Sequence, residues 1–532
     1  MYFILTASKD TYITNKIINN AFSASDANVG RASTLDLFRL YNESFLSGVS
    51  PLTPTNEYTK ALIKFDYTKI SSLMKNDLNL NLDSFNCKLE MIDIMGGQST
   101  PADFTLILFP LSQSFDEGIG KDVVSFADLD RANFITASYS NGTVYPWYLS
   151  GAAKEGVINK VPASLSYPDN IDYIVSGNLN DGNGTVGLGV AQRFIEGSEN
   201  LSMDITTIVS ATVAGILPDC GFRLSFTGSQ ENDTKTRFVK RFASRHVGEF
   251  TLQPRIAVSY DSSVNDNHKN FYFDLSGSLF LKNFHRGQSA NIRSGSSLTP
   301  VTGNNCIKLT LRSGSWKQEI SASQHHAGTK VDHPGGTDAI SFVTGVYSAS
   351  FAISSSDSAT VDWGTSLADM ISRTGSITFD EYWSSADGLT GYYTGSLSVK
   401  RISRTSFNIS PRRLNLIVTN AKDEYKYGSR AMFRVFVHDF DEEQKAKKLP
   451  YSLSSVILDK VYYRIRDAES DKIIIPFKAS NNGTKLSSDS EGLFFETYLD
   501  LAKGRTYTID FLIKEAGIEL IEEAKNTRFR VN

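Results

Sequence analysis

Cysteine is scarce in this sequence of 532 residues, and its three cysteines stand far apart, at Cys87, Cys220 and Cys306. So small and widely spaced a set forms neither a disulfide framework nor a paired Cys-x-x-Cys metal clamp, and we expect free thiols. Uninterrupted apolar runs of about 18 residues are also missing, which excludes a membrane-spanning helix.

An excess of basic residues is missing too. Lys and Arg number 54 against 58 Asp and Glu, which gives a formal net charge of -4. A dedicated nucleic-acid-binding protein usually carries a strong positive balance, so the composition argues against that class. Residues 1–14 lack the basic region and the long apolar run of a signal peptide, and they alternate like a strand. We therefore expect that the chain has no signal peptide and that it is made in a cytoplasm.

The remaining composition is that of globular protein, with 40% apolar and 21% charged residues. The length corresponds to about three or four domains. Apolar positions recur with period two in short runs separated by Gly, Asn, Asp and Ser, which predicts antiparallel strands joined by turns. The clearest predicted strands, rich in β-branched and aromatic residues, are 61–65, 104–109, 222–226, 256–260, 271–275 and 431–437.

Two segments depart from the strand pattern. In residues 203–217 the apolar positions recur at helical spacing, and Asp204 is a suitable N-cap, so we predict one packed helix there. Residues 439–448 are strongly charged, and we predict a solvated loop or turn.

Composition divides the chain into three predicted β-sandwich domains, residues 1–262, 263–410 and 411–532. A polar linker at 261–270 marks the first boundary. The second segment is rich in Ser, Gly and Thr and has predicted strands at 307–311, 339–342 and 395–399, with Trp316, Trp363 and Trp383 as core anchors. The third has six or seven predicted strands in about 120 residues, which is typical of an immunoglobulin-like sandwich. Its predicted strands are 414–418, 431–437, 461–466, 472–476, 493–498 and 507–513. The expected fold class is all-β, with tandem sandwiches.

A string of short motifs runs in order through residues 1–262. The motifs are Asp10-Thr11-Tyr12-Ile13, Val29-Gly30, 35–38, 61–66, Lys88-Leu89-Glu90-Met91, Phe109-Pro110-Leu111, Phe115-Asp116-Glu117-Gly118, Met203-Asp204-Ile205-Thr206, Cys220-Gly221-Phe222, Phe242-Ala243-Ser244-Arg245 and 254–260. Together they resemble the DNRLRE domain, a β-sandwich module similar to carbohydrate-binding modules and found in bacterial surface and phage virion proteins. The family usually has a Ser-Arg-Glu triplet where this chain has His246 in the third place. The resemblance implies a jelly-roll-like sandwich with one short helix.

A second resemblance concerns residues 112–122, 134–139, 439, 484–492 and 504–510. These stretches look like parts of large structural proteins of tailed bacteriophages, particularly marine myovirus types. The resemblance implies a virion component that is assembled in the host cytoplasm. Baseplate periphery, neck or collar, tail-fibre attachment and capsid decoration are all compatible with it.

Candidate metal ligands cluster in residues 322–336, where His325, His326, Asp332 and His333 offer imidazoles and a carboxylate. On a strand, the adjacent His325 and His326 would point to opposite faces, so both could bind one ion only in a loop. A solvated polar loop is the favoured interpretation, and a subunit contact is the other alternative. We therefore predict no metal.

Acidic residues gather in two loops. Asp116, Glu117 and Asp122 could serve as a glycosidase pair or as calcium ligands, but Gly118 and Gly120 favour a structural turn. Residues 487–492 resemble part of an oxygen-ligand loop, and a solvated hairpin turn is favoured there because the spacing is not that of an EF-hand.

Two groups could contact partners. The basic residues Lys235, Arg237, Lys240, Arg241 and Arg245 surround Phe238 and Phe242 and suit either an acidic protein partner or a solvated face. In residues 145–148, Trp147 and Tyr148 could stack on a sugar, although a core or loop role is favoured. The partner or glycan contacts predicted are Trp147, Tyr148, Lys240, Arg241 and Arg245.

The sequence contains no phosphate-binding loop, GxSxG elbow or Cys-His nucleophile arrangement. We therefore expect no enzyme, no catalytic residue and no cofactor. The favoured function is that of a virion structural protein that associates with other virion proteins and with copies of itself. The alternative is a carbohydrate-binding adhesin or receptor-binding tail fibre whose partner is host surface glycan. Neither nucleic acid nor a membrane is an expected partner.

Overall fold

The computed structural model describes residues 1–46, 54–74, 78, 80, 82–95, 100–125, 130–161, 164–166, 170–179, 185–326, 342–362, 364–401, 413–440, 455–515 and 517–532. Strands dominate this part of the chain and form several sheets, which confirms the predicted all-β class with tandem sandwiches. Within the same ranges, every helix is too short or too polar to cross a bilayer. The three cysteines are free thiols, as expected.

The first segment is built from strands of residues 1–262. They are β1 (Tyr2–Thr14), β2 (Ile17–Ile18), β3 (Phe22–Ser23), β4 (Thr34–Tyr41), β5 (Asn56–Phe65), β6 (Asn86–Met91), β7 (Phe104–Pro110), β8 (Thr136–Ser140), β9 (Thr143–Pro146), β10 (Glu155–Val161), β11 (Ser164–Ser166), β12 (Tyr173–Asn178), β13 (Val186–Gly187), β14 (Val190–Phe194), β15 (Leu201–Asp204), β16 (Phe222–Phe226), β17 (Arg237–Ala243) and β18 (Arg255–Ser259). The main sheet has the order β14-β7-β16-β5-β1-β18-β6-β15, and β4 joins β17 to β5. Smaller sheets are β11-β10-β12-β13, β2-β3 and β8-β9.

Short helices interrupt these strands: α1 (Thr68–Leu73), α2 (Thr206–Val213), α3 (Gly228–Glu231) and a 3-10 turn at Phe250–Leu252. The structure thus has α1 and α3 in addition to the one helix expected in this segment. That helix, α2, is shorter than predicted because Met203 pairs with Leu89 in the ladder between β15 and β6. Asp204 therefore ends a strand, and its carboxylate accepts hydrogen bonds from the backbone N–H and the hydroxyl of Thr206.

Strand β1 changes partner halfway along. Residues 2–6 pair with β18, a bulge lies between Ala7 and Lys9, and residues 9–14 pair with β5. Side chains alternate between the two faces of a strand. Phe3 and Leu5 lie in the core of the first segment, whereas Tyr2 and Ile4 lie in the core of the third. One strand therefore forms the wall between two cores.

The second segment has its own core, which contains Trp316 and Trp383 as predicted. Its strands are β19 (Phe271–Tyr272), β20 (Gly277–Lys282), β21 (Phe284–His285), β22 (Gln288–Ser289), β23 (Arg293–Ser294), β24 (Thr299–Pro300), β25 (Ile307–Ser313), β26 (Trp316–His326), β27 (Phe342–Phe351), β28 (Thr360–Asp362), β29 (Thr365–Ser366), β30 (Ser376–Ser385) and β31 (Gly391–Lys400). The helix α4 (Leu367–Thr374) starts at an N-cap, Ser366, and ends at Gly375, whose φ of 71° suits glycine.

Seven of these strands form one sheet in the order β19-β31-β30-β25-β26-β27-β20. The sheet folds over on itself, because Phe271 near one edge stacks on Phe351 near the other with ring centroids 4.8 Å apart. The predicted strand 271–275 is limited to two residues. Asp274 has a φ of 65°, and its carboxylate accepts from the N–H and hydroxyl of Ser355. Trp363 and residues 339–341 lie outside the described residues.

The third segment is a sandwich of two sheets. Its strands are β32 (Leu414–Val418), β33 (Glu424–Tyr425), β34 (Arg430–Asp439), β35 (Val461–Asp467), β36 (Ile473–Ile475), β37 (Ser487–Asp489), β38 (Gly492–Tyr498), β39 (Thr506–Glu515) and β40 (Ile518–Val531). One sheet has the order β32-β34-β38-β37, and the other has the order β33-β40-β39-β35-β36. Phe495 stacks on Tyr463 of the facing sheet, with centroids 4.1 Å apart. All six predicted strands of this segment are present. Residues 441–448 of the predicted charged loop are outside the described ranges.

The polar linker 261–270 is bound along the third segment. Asn265 forms a parallel bridge with Ser488. The backbone N–H of Ser488 donates to the carbonyl of Val264 at 2.8 Å, and its hydroxyl donates to the carbonyl of Asp266 at 2.9 Å. The linker that composition indicated as a domain boundary is therefore held against the third segment by these hydrogen bonds.

A second joint connects the first segment to the third. The Lys69 ammonium forms an ion pair with the carboxylate of Asp500. The same ammonium lies 4.4 Å from the ring centroid of Tyr498 and 5.5 Å from that of Phe3. The Thr497 hydroxyl donates to the carbonyl of Tyr2 at 3.2 Å. Ionic, aromatic and main-chain contacts thus reinforce the shared wall.

The two faces of β1 can be tested separately. We expect Ile4→Ala to lower the free energy of unfolding by about 2 to 4 kcal/mol, because it removes buried side-chain atoms from the third core. Hydrogen exchange should become faster in β34 and β38, whereas Phe3→Ala should act on β5 and β6. Ser202→Ala, at an exposed position of β15, is the control. Unchanged exchange of β34 and β38 in Ile4→Ala would contradict the shared wall.

Candidate functional site

Four residues from the motifs of the first segment meet at one place, which we call the Arg245 clasp: Asp10, Glu117, Arg245 and His246. The guanidinium of Arg245 donates to both carboxylate oxygens of Glu117, at 2.5 and 2.6 Å. The backbone N–H of Arg245 donates to Asp10 Oδ2 at 2.5 Å, and the N–H of Asp10 donates to Glu117 Oε1 at 2.9 Å. His246 Nε2 lies 3.3 Å from Glu117 Oε1. The clasp ties three distant parts of the chain together.

Close backbone approach holds the loop that carries Glu117. The side-chain amide of Asn28 donates to the carbonyls of Glu117 and Ala132 at 2.9 and 2.8 Å. A Cβ atom on Gly30 would lie 1.8 Å from the carbonyl oxygen of Glu117. Gly118 has a φ of 80° and packs directly against the Asn28 side chain. Only glycine fits at both positions.

Burial shapes the charges of the clasp. Asp10 is 1% exposed, and its Oδ1 has no hydrogen-bond partner in the described part of the chain. Burial raises the pKa of Asp10 to about 7, against the hydrogen bond from the Arg245 backbone. Burial also disfavours the charged form of Glu117, but the hydrogen bonds from Arg245 and Asp10 outweigh it and hold the pKa of Glu117 below its ordinary value.

Asp10, Glu117 and His246 each place one potential metal ligand within 4.8 Å of the others. Both oxygens of Glu117 already accept from the Arg245 guanidinium, and Asp10 Oδ2 accepts from its backbone. A cation at this place would have to displace a bidentate, charge-assisted pair. The geometry therefore favours a structural clasp over a cation site.

The basic string is distributed among separate ion pairs. Those pairs are Arg237–Asp233, Lys240–Asp93, Arg241–Asp36 and Arg245–Glu117. The Lys240 side chain is 0% exposed, and its ammonium donates to Asp93 and to the carbonyls of Gly197 and Glu199. The predicted partner contact at Lys240 is therefore wrong. Arg241 and Arg245 are partly buried and bidentately paired, which leaves little charge for a partner.

The aromatic segment 145–148 divides between core and surface. Trp147 is buried beside Ile13 and Leu62, and its indole N–H donates to the carbonyl of Asn133 at 2.9 Å. Trp147 therefore has the core role that was favoured, and the alternative glycan contact is wrong, because the buried ring cannot reach a ligand. Tyr148 is exposed, as are its apolar neighbours Ile135, Val144, Tyr145 and Leu149. We call these five residues the hairpin patch; they lie on both faces of the hairpin, because Val144 and Tyr145 are consecutive in β9.

The candidate metal histidines do not converge. His325 and His326 are the last two residues of β26, not part of the predicted solvated loop, and they lie at an irregularity in its pairing with β27. His325 packs against the ring of Phe280, and His326 packs against Phe342. The two imidazoles thus contact different aromatic rings instead of forming a ligand pair. Asp332 and His333 lie outside the described residues.

The acidic loops form turns, as favoured. Asp116 Oδ2 accepts from the N–H of Tyr139 at 2.9 Å, and Asp122 Oδ1 accepts from the backbone N–H groups of Val124 and Ser125. In the hairpin between β37 and β38, Asp489 accepts from the N–H of Glu491 and pairs with Arg434 at 2.7 Å.

Sequence reasoning missed a buried ionic group in the second segment. His268 Nδ1 lies 2.5 Å from Asp266 Oδ1, and its Nε2 lies 2.7 Å from Glu381 Oε2. Burial opposes the charged imidazole, but the two carboxylates outweigh it and raise the pKa of His268 to about 10. The sequence of β30 could have revealed this group, because its alternation places Glu381 on the same inward face as Phe379 and Trp383. A buried acid at such a position needs a partner.

A cavity of about 140 Å³ lies where the three segments meet. We call it the junction cavity. Each segment contributes polar lining residues: Asp261, Ser262, Lys282, His325, Arg430 and Lys485. Aromatic and aliphatic side chains, including Phe494 and Val346, complete the wall.

The fold and these sites define a tandem β-sandwich protein. No family model matches the chain, and no curated protein sequence does so either. Among solved structures it is similar to the fibronectin(III)-like modules of CbhA from Clostridium thermocellum, with 9% identity, a TM-score of 0.13, and coverage of 51% of this chain and 92% of that one. It is also similar to the N-terminal Ig1-2 module of the Drosophila receptor protein tyrosine phosphatase DLAR, with 7% identity, a TM-score of 0.12, and coverage of 48% and 90%. TM-scores this low assign no shared topology or activity.

The raised pKa of Asp10 predicts a pH-dependent stability. Its contribution is fully present below the ordinary aspartate pKa of about 3.9, where the carboxyl is protonated in both the folded and the unfolded state, and it is lost as the pH rises through about 7. In Asp10→Asn an amide that does not titrate replaces the carboxyl, so this loss of stability with rising pH does not occur. Its free energy of unfolding should therefore gain about 2 to 4 kcal/mol relative to wild type between pH 4 and pH 8. Urea unfolding across this range measures the difference.

Asp122→Asn is the matched control for that experiment. Backbone hydrogen bonds hold the pKa of Asp122 below its ordinary value. Its contribution is therefore lost only as the pH falls below about 4, so the difference in stability between the variant and wild type should stay nearly constant between pH 4 and pH 8. A flat difference between Asp10→Asn and wild type would contradict the assignment for Asp10.

Proposed function

We propose that this chain is a structural component of a tailed-phage virion, assembled in the host cytoplasm and acting through protein-protein contacts. Its place would be the baseplate periphery, the neck or collar, or a fibre attachment. The resemblance of its motifs to DNRLRE modules and to phage structural proteins supports this proposal. The structural observation that carries it is the rigid connection of successive β-segments.

Rigidity suits a part that transmits load between neighbours. Interfaces between domains of one chain usually permit relative motion. Here the first and third segments could separate only by exposing Tyr2 and Ile4 to water and by breaking the pair of Lys69 with Asp500. The linker that enters the second segment is bound by Ser488. Such a chain can hold two partners at a fixed distance and angle.

The hairpin patch is the contact surface that we assign to a neighbouring virion protein. Its five apolar side chains are 41 to 54% exposed and lie within 15 residues of one another, from Ile135 to Leu149. The buried Trp147 fixes the hairpin from below. Singly exposed apolar residues are ordinary, and the concentration of five of them in one short hairpin is what supports a contact surface here.

A pull-down from lysate of phage-infected host cells tests the proposal. The wild-type chain should capture named capsid, neck or baseplate proteins. Val144→Ser combined with Tyr148→Ser should reduce capture at least tenfold, because both side chains belong to the patch. Phe238→Ser, which changes an exposed apolar residue elsewhere in the segment, should have no effect. Equal capture by the double variant would refute the patch.

Electron microscopy of virions with an antibody against the chain tests the location independently. Labelled particles are expected at one end of the tail or at the neck. The absence of label on every particle would overturn the virion function.

The second candidate is a carbohydrate-binding adhesin or receptor-binding tail fibre. The observation in its favour is the pair of exposed rings, Tyr145 and Tyr148, on a rigid hairpin, because exposed aromatic rings can stack on sugars. Binding to a panel of host polysaccharides should then vanish in the Tyr145→Ala, Tyr148→Ala double variant. It should persist in Tyr272→Ala, another exposed tyrosine. A panel on which wild type binds nothing would remove this candidate.

A further inference from the structure

The junction cavity collects more positive than negative charge. Its lining contains the side-chain cations Lys282, Arg430 and Lys485 and the carboxylates Asp261 and Glu496. The amino group of Met1 also lines the cavity, but burial lowers its pKa to about 5, so it is neutral near pH 7. Three cations against two carboxylates leave one positive charge in excess. The lining comes from all three segments, so the charge is a property of their assembly.

Both carboxylates already have partners. Glu496 Oε2 accepts from the guanidinium of Arg430, at 2.8 Å from Nε and 2.5 Å from Nη2. Asp261 Oδ1 accepts from the N–H and the hydroxyl of Ser263, and its Oδ2 accepts from the Asn482 amide at 2.9 Å. Neither carboxylate pairs with a lysine of the cavity.

Lys282 has no carboxylate partner within the described part of the chain. Its ammonium lies 4.4 Å from the ring centroid of Phe494, on β38 of the third segment. The carboxylates of Asp489, Glu496 and Asp266 act on it electrostatically, but none of them forms an ion pair with it, and Asp489 is bound by Arg434 at 2.7 Å. Burial outweighs their effect and lowers the pKa of Lys282. Lys485 likewise forms no ion pair with any described residue.

A desolvated ammonium costs free energy unless an anion compensates it. We propose that the junction cavity binds a small organic anion, with a carboxylate or phosphate head at Lys282 and Lys485 and a compact apolar body against Phe494 and Val346. The site goes beyond the proposed structural function and does not depend on it.

The size and the lining fit this class of ligand. Protein cavities of roughly 150 Å³ accommodate one benzene ring. The junction cavity, at about 140 Å³, has room for a single-ring acid. Burial lowers the pKa of His325 to about 4, so its imidazole is neutral near pH 7 and can accept or donate a hydrogen bond. Ser262 adds a hydroxyl to the same lining.

Binding should be measured on the full chain by calorimetry and by the shift of the melting temperature. Benzoate and phenyl phosphate are the anionic probes, and benzamide is the neutral analogue of nearly the same shape. We expect the two anions to raise the melting temperature in a concentration-dependent way, because a ligand of the folded state stabilises it. Benzamide should bind at least tenfold more weakly.

Lys282→Met and Lys485→Met should each weaken benzoate binding at least tenfold. Lys282→Arg should retain part of it, since the charge remains. Lys121→Met, at an exposed position of the first segment, is the matched control and should bind as wild type does. If Lys282→Met fails to fold, Lys485→Met and the benzamide comparison decide the result.

Two outcomes would overturn the proposal. One is that neither anion binds wild type better than benzamide does. The other is that the folded lysine variants bind benzoate with wild-type affinity, in which case the unpaired ammonium groups have no part in binding. A phenyl phosphate affinity well above that of benzoate would support a phosphate head, and the reverse would support a carboxylate.

Discussion

The alternation of side chains along β1 is the constraint on which the rest of the structure depends. Tyr2 and Ile4 face one core, and Phe3 and Leu5 face the other. A register slip of a single residue would exchange both sets at once. The bulge between Ala7 and Lys9 lets the same strand leave β18 and join β5. The thirteen residues of β1 thus contribute to two cores and to the bend of one sheet.

Ion pairs add contacts that the apolar packing around β1 does not provide. Lys69 with Asp500, Arg245 with Glu117, and His268 with two carboxylates each join parts of the chain that are far apart in sequence. Buried pairs of this kind add less stability than their Coulomb energy suggests, because both partners lose hydration. Removing one partner is costly, however, since a lone charge remains. Of the three, only the pair of Lys69 with Asp500 joins two segments and helps to select their arrangement, whereas the other two act within one segment.

Local periodicity predicted the strands well. Residues 222–226 form a strand as predicted, and the six strands of the third segment are present. The contacts between strands could not be predicted in the same way, because they depend on partners far away in sequence. Lys240 belonged to a basic string, but Asp93 lies 147 residues away and neutralises it. For Trp147 the sequence favoured a core or loop role over a sugar contact, but the residues that bury it, Ile13 and Leu62, lie far away in sequence. The helix 203–217 was predicted too long because a cross-strand partner for Met203 is invisible to a helical pattern.

The second segment begins and ends at the same edge of its sheet. Phe271 and Tyr272, where the chain enters, pair in parallel with Val399 and Lys400, where the chain leaves. An element whose two ends lie side by side can be lengthened, shortened or exchanged without displacing the flanking chain. In evolutionary terms, residues 271–400 have the geometry of an inserted module. Recombination at that pair of points could give relatives a different middle domain on an unchanged two-core frame.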